Sequence, residues 1–267
     1  MNRIEQKMVD ILKDLKENYG AISVRAEFEA EGTKLEELLR LKEISMTAGL
    51  GLTLKIGGCE SIRDMLEAHT VGVNYIVAPM VESPYALRKY LQAIEKIFPI
   101  DELKNIEVLC NIETKTACEN LDGMIKIPEI KYLKGIVIER VDLCFSLGRS
   151  EKDINDHDIN EIVLDTIKKA KGGSLSCTIG GGVSAHSLAF FKGIPNGFLD
   201  RYETRKVCFS FPEAIKSDPE KGILKALGFE LLWLKNKTNY FKGIYESDTA
   251  RMDLIERRYL REIDALI

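Results

Sequence analysis

Hydrophobic and polar positions follow two periods along this chain, and the period switches every ten residues or so. Ile4, Met8, Ile11, Leu12 and Leu15 lie at helical spacing, and the pattern stops at Asn18 to Gly20. In AISVRAEFEA the period shortens to two. Val24, Ala26 and Phe28 alternate there with Ser23, Arg25 and Glu27, which predicts a strand. Thr33 can cap a helix carrying Leu35, Leu38, Leu39, Leu41 and Ile44, with a stop at Gly49. LTLKIGG predicts the second strand, followed by a helix over Glu60 to His69. NYIVAPMVES predicts a third strand ending at Glu82, with its helix over Pro84 to Ile97.

The runs IEVLCNI and LKGIVI predict strands four and five. Between them Ala117, Leu121, Met124 and Ile125 mark a helix, and each strand is followed by an acidic residue, Glu113 and Asp142. A helix over Asp156 to Lys171 leads to the strand SLSCTIGGG and a helix over Val183 to Phe191. GFLDRYETRKVCF holds one or two further strands with little room for a helix between them. From Pro219 onward the pattern predicts a pair of long helices, the second striped by Met252, Ile255, Tyr259 and Ile263.

Six or more strands alternating with helices predict a parallel α/β fold. Length favours a (β/α)₈ TIM barrel with an extra N-terminal helix and C-terminal helices, an open doubly wound sheet being the alternative. We expect one barrel domain over 1–267: an N-terminal helix over 1–20, barrel strands and helices over 21–210, and C-terminal helices over 211–267 that dock on the barrel or on another subunit. In such a fold ligands bind at the C-terminal ends of the strands, so Glu113 and Asp142 would face one crevice.

Composition narrows the partners. A chain of 267 residues, 45% hydrophobic, can bury a large core without disulfides, and its six cysteines form no C-x-x-C pair. A net charge of -4 without a basic stripe argues against nucleic acid. No apolar run is long enough for a membrane span and MNRIEQKMVD lacks a signal-peptide core, so the expected location is cytoplasmic.

Strands of a parallel sheet covered on both faces usually read as apolar throughout. Here Arg25 with Glu27, Thr53 with Lys55, Asn111 with Glu113 and Ser176 with Thr178 put polar pairs on one strand face. Burying such groups requires partners, a metal or water, all of which a barrel mouth offers; the plainer reading is a set of internal ion pairs. Arg25 and Lys55 are candidates to hold a substrate carboxylate or enolate, and Glu27 and Glu82 are candidate bases or partners of those cations. Gly181 and Gly182, in a glycine cluster opening a helix, offer backbone N–H groups to an anion. Asp200, Arg201, Glu203 and Arg205 read as an ion-pair ladder first and substrate contacts second.

The run KIGGCESIRDMLEAHTVGVNYIVAPMVES resembles the second and third units of the HpcH/HpaI aldolase and citrate lyase β-subunit family, within the phosphoenolpyruvate/pyruvate-domain barrels. IET, the A-x-E-N-L stretch and VDLCFSLG are similar to that family's fourth and fifth units. The resemblance covers roughly Ile22 to Gly148 and marks a divergent member. It implies a (β/α)₈ barrel binding Mg²⁺ or Mn²⁺ through Glu113 and Asp142, and a carbon–carbon lyase or aldolase acting on a small 2-oxo or hydroxy acid, or its CoA thioester, through a metal-stabilised enolate. It also implies a homo-oligomer. Three departures stand out: Lys55 where many relatives carry arginine, Glu139–Arg140 where a glycine–proline pair is common, and FEAEGT where aldolase members place a histidine. Two alternatives therefore stay open, a Schiff-base aldolase using Lys55 and a non-catalytic metabolite-binding barrel.

Overall fold

The computed structural model describes residues 1–264. The elements follow in the order α1 (Arg3–Tyr19), β1 (Ala21–Glu27), α2 (Leu35–Thr47), β2 (Gly51–Lys55), α3 (Ile62–Val71), β3 (Tyr75–Ala78), α4 (Pro84–Ile97), β4 (Glu107–Ile112), α5 (Lys115–Met124), β5 (Gly135–Glu139), α6 (Arg140–Ser146), α7 (His157–Gly172), β6 (Ser176–Gly180), α8 (Leu188–Gly193), β7 (Arg201–Glu203), β8 (Val207–Ser210) and α9 (Pro219–Asp264). The eight strands close into a barrel in sequence order with helices flanking it, the TIM-barrel architecture expected from the pattern.

Local chemistry explains several element ends. Asn2 and Glu5 form a reciprocal capping box at α1, and Gly20 ends that helix in the left-handed region. Ser83 caps α4 ahead of Pro84, and the Thr114 hydroxyl accepts from the Ala117 N–H to cap α5.

Two elements depart from the sequence reading. β7 and β8 are both strands, and β8 runs antiparallel to β7 and to β1. The connection, Thr204 to Lys206, is too short for the dozen or more residues that a parallel crossover needs, so the chain turns back as a hairpin. The C-terminal pair of helices is instead one continuous helix of 46 residues. It contains no proline after its first residue, and isolated glycines in a helix cost only about 1 kcal/mol each. Gly222 has a packing reason, since a Cβ there would stand 3.1 Å from the Tyr19 ring.

Strand alternation sorts the barrel into an outer apolar shell and a layered interior. Val24, Leu54, Ile76, Val108, Cys110, Ile136 and Ile179 point outward into the main core beneath the helices. Inside, Arg201 pairs with Glu107 at 2.6 Å and stacks on Tyr75 near the N-terminal ends of the strands. Above them Val77, Leu109 and Val137 form a small apolar plug. Above the plug, at the C-terminal ends, Arg25, Glu27, Lys55, Asn111, Glu139 and Glu203 are buried polar residues. The five buried cysteines and half-buried Cys59 are all free thiols. Among the described residues no helix is long and apolar enough to cross a membrane.

Candidate active site

Arg25, near the C-terminal end of β1, is the centre of the mouth. It is 3% exposed, and its guanidinium lies 2.8 Å from Glu139, 2.9 Å from Glu203 and 3.3 Å from Glu27. Burial alone would depress its pKa, but Glu203, Glu139 and Glu27 together hold it above its ordinary value. Lys55, in register with Glu27 on β2, lies 4.0 Å from Glu27 and 3.0 Å from the exposed Glu29. Burial would lower its pKa too, yet Glu27 and Glu139 outweigh that and raise it. The internal ion pairs expected on the polar strand faces are thus present, three of them converging on Arg25.

The charged run after β6 does not form a ladder along itself. Asp200 accepts from Lys171 and the Cys177 N–H, Arg201 reaches Glu107, Glu203 reaches Arg25, and Arg205 pairs with Glu31 at 3.3 Å. Alternation along β7 sends neighbours to opposite sides, so each charge finds a partner on a different element. Lys206, buried in the hairpin, also pairs with Glu31, tying the β1–α2 loop to the β7–β8 turn. Glu203 stands out electrostatically. Burial, opposed by Arg25 but reinforced by Glu139 and Glu27, pushes its carboxyl up to about 7.

Glu113 follows β4 and is 2% exposed. Its carboxylate accepts from the Met80 N–H at 2.5 Å and from the Asn111 amide at 2.9 Å. Met80 holds a left-handed backbone, φ 54°, and this bond is its visible compensation. Burial raises the Glu113 pKa against the two hydrogen bonds. The Asn111 side-chain oxygen, also buried, has no hydrogen-bond partner. Asp142 sits in the first turn of α6, exposed at the mouth, where desolvation first and the Glu139 charge second raise its pKa. Glu82 lies apart: β3 stops at Ala78, and Glu82 instead accepts from the Thr114 hydroxyl at 2.7 Å, bracing the start of α5.

Gly181 and Gly182 both have positive φ, 70° and 65°. A Cβ at Gly181 would come within 2.5 Å of the Arg140 nitrogen, so the turn after β6 closes directly on the start of α6. Arg140, fully buried, fastens this junction through the Gly180 and Gly181 carbonyls, Ser187 and Asn155. Burial, only partly opposed by the Glu139 charge, lowers its pKa to about 10. Sequence reading noted Glu139 and Arg140 only as departures from a pattern. The register Gly135, Val137, Glu139 on β5 was the signal that Glu139 points inward.

These groups surround a cavity of about 460 Å³ at the C-terminal ends of the strands. Arg25, Glu27, Lys55, Glu139, Asp142, Gly181, Gly182, Glu203 and Arg205 line it, whereas Glu82 and Glu113 do not, so the expected pair of Glu113 and Asp142 does not share this wall. Its wall carries seven carboxylates against three cations, leaving a surplus of negative charge. Among the described residues, no three His, Cys, Asp or Glu side chains are grouped to hold a metal ion. A larger cleft of about 600 Å³, between α1, α2 and α9, lies elsewhere and contains none of these groups.

Residues 50–175, from β2 to α7, match the model of the family described as HpcH/HpaI aldolase/citrate lyase. The match spans just under half of the chain. An HpcH/HpaI aldolase from Desulfitobacterium hafniense DCB-2 is similar in structure, with TM-score 0.61 and 12% identity over 76% of this chain and 82% of that one. The citrate synthase SbnG superposes with TM-score 0.60 and 16% identity, covering 87% of this chain and 90% of its own. A HpcH/HpaI aldolase/citrate lyase family protein from Burkholderia cenocepacia J2315 gives TM-score 0.58 and 12% identity over 85% and 99%. At these identities the structures share the barrel. No curated protein sequence matches the chain. The HpcH/HpaI segment contains Lys55, Glu113, Glu139 and Asp142; Arg25, Glu27 and Glu203 lie outside it.

Proposed function

We propose that the protein is a divalent-metal-dependent carbon–carbon lyase or aldolase acting on a small 2-oxo or hydroxy acid, free or as a CoA thioester. The observation that carries this reading is the mouth of an HpcH/HpaI-type barrel, walled by seven carboxylates against three cations. A hard divalent cation offsets such a surplus. Mg²⁺ needs only one or two protein carboxylates, its remaining positions being filled by water and substrate oxygens. Glu113 and Asp142 would hold the ion. Both carboxyls have raised pKa values, and the partnerless Asn111 oxygen lies beside Glu113. When bound, the cation supplies a Lewis acid that polarises the substrate carbonyl and favours negative charge on its oxygen.

The chain's own residues do the rest. Lys55, whose nearest partner is the exposed Glu29, exchanges that carboxylate for the substrate's. Arg205, half exposed beside Glu31, does the same on the hairpin side, while the Gly181 and Gly182 turn lines the pocket between them. Arg25, enclosed by three carboxylates, fixes their positions. Glu203, near half-protonation at neutral pH and lining the cavity, is suited to take or give a proton; Glu27, tied to both Arg25 and Lys55, is less free to do so. The raised pKa of Lys55 disfavours the Schiff-base route, which needs a neutral amine.

Isothermal titration with Mg²⁺ or Mn²⁺ should show one site per chain in the wild type and at least tenfold weaker binding in Glu113→Gln and Asp142→Asn. Cleavage of 2-oxo acid aldol adducts should stop on chelation and return with the metal. Full turnover in metal-free protein contradicts the proposal. Borohydride trapping with a 2-oxo acid should leave Lys55 unlabelled, and labelling would move the assignment to the Schiff-base aldolase.

A further inference from the structure

The cleft between α1, α2 and α9 is larger than the mouth, about 600 Å³ against about 460 Å³, and shares no lining residue with it. A volume of that size is usual for a small-molecule site, and gaps between helices are among the places where such sites form. Long-range contacts hold the cleft open in one shape. Gly222 of α9 meets Tyr19 of α1, Asn236 bonds Glu5 and Asn2, and Lys237 reaches Glu37 of α2 at 2.9 Å.

Six charged residues line the cleft, and four of them neutralise one another. Glu5, 3% exposed, accepts from Arg40 at 2.6 Å, from the Asn2 N–H at 2.6 Å and from the Asn236 amide at 3.1 Å. The Arg40 bond, first among these, helps hold its carboxyl down at about 2. Glu37 is matched by Lys237. Arg3 and Glu36 remain, both exposed and without an ion-pair partner among the described residues. The wall that accompanies them is apolar: Trp233, 6% exposed, with Ile4 and Tyr240. A simple anion would be repelled by Glu36 and a simple cation by Arg3. One free cation and one free carboxylate beside an aromatic wall are complementary to a zwitterion with an aromatic body.

We propose that this cleft is a second ligand site, for an aromatic amino acid, with the α-carboxylate on Arg3, the α-ammonium on Glu36 and the ring against Trp233. The site adjoins the mouth without entering it. The Trp233 ring centroid lies 6.0 Å from the Lys206 ammonium, and Lys206 pairs with Glu31, which also holds Arg205 at the mouth. A ring bound on Trp233 therefore sits one side chain away from the β7–β8 hairpin, the place of an effector and not of the substrate. The inference rests on the cleft alone and does not depend on the reaction proposed above.

Trp233 is the only tryptophan in the chain, so its fluorescence reports on the cleft. Phenylalanine, which does not absorb where tryptophan is excited, should change that fluorescence saturably, and isothermal titration should give the same affinity with one site per chain. Arg3→Gln and Glu36→Gln should each weaken binding about tenfold, the scale of one lost charge-assisted hydrogen bond. Their melting temperatures should match the wild type, because both side chains are exposed. Phenylpropionate and phenethylamine each lack one of the two charges and should bind the wild type about tenfold more weakly than phenylalanine. No calorimetric binding of phenylalanine, tyrosine or tryptophan would overturn the proposal. So would equal affinity for the two singly charged analogues, or undiminished phenylalanine binding in both variants.

Discussion

Arg25 organises the mouth one contact at a time, and its removal is the sharpest residue-scale perturbation. Arg25→Met leaves Glu27, Glu139 and Glu203 buried around an apolar side chain, and breaking a buried ion pair from one side costs about 3–5 kcal/mol. Urea unfolding should register that loss, with a larger value at pH 8 than at pH 5, where Glu203 is protonated. Glu203 itself has a definite pH signature. Its folded pKa, about 7, lies above the unfolded value, so the native state holds the proton more tightly. The stability this contributes is fully present below the unfolded carboxylate pKa and is lost as pH rises through about 7. The difference in unfolding free energy between Glu203→Gln and wild type should therefore shift in favour of the variant from pH 4.5 to pH 7.5. A flat difference would show that Glu203 titrates normally.

Among the elements, the turn joining β6 to α8 and the short helix α6 form one unit, because Gly181 closes on the backbone of Arg140 and the Arg140 side chain ties both together. Gly181→Ala forces a Cβ into that contact at positive φ, which costs on the order of 1–3 kcal/mol before any relaxation. We expect a lower melting temperature together with weaker substrate binding, since the same turn lines the mouth; a fully stable variant would contradict this packing. How much of this was legible in the sequence depends on the range of the interaction. Strand alternation gave Arg25, Glu27 and Lys55 their inward direction, and helical periodicity located the helices between strands. The reversal of β8 was half visible in a connection too short for a helix. What periodicity could not show was which charges meet: Glu139 and Glu203, far apart in sequence, reach Arg25 only once the barrel closes. The continuity of α9 was not legible either, although no proline after its first residue interrupts the 46-residue helix. Ile263, the last residue of the expected stripe, lies outside the residues whose side chains are described.

Over the whole molecule the barrel separates stability from chemistry along its axis. The Arg201–Glu107 pair and the Val77, Leu109, Val137 plug seal the lower interior, and the charged layer lies above them at the strand ends, where barrel enzymes place their reacting groups. The central claim is that this charged mouth binds a divalent cation and lowers the cost of forming an enolate from a 2-oxo acid. Proton exchange tests it whatever the aldehyde or thioester partner is. Pyruvate in D₂O, followed by ¹H NMR with the protein and Mg²⁺ or Mn²⁺, should lose its methyl signal at least a hundredfold faster than in protein-free controls. The exchange should cease on adding a chelator and fall to background in Asp142→Asn. Exchange that persists in chelator would contradict the metal's role, and metal bound tightly at Glu113 and Asp142 with no exchange of any small 2-oxo acid would leave a binding barrel in place of an enzyme.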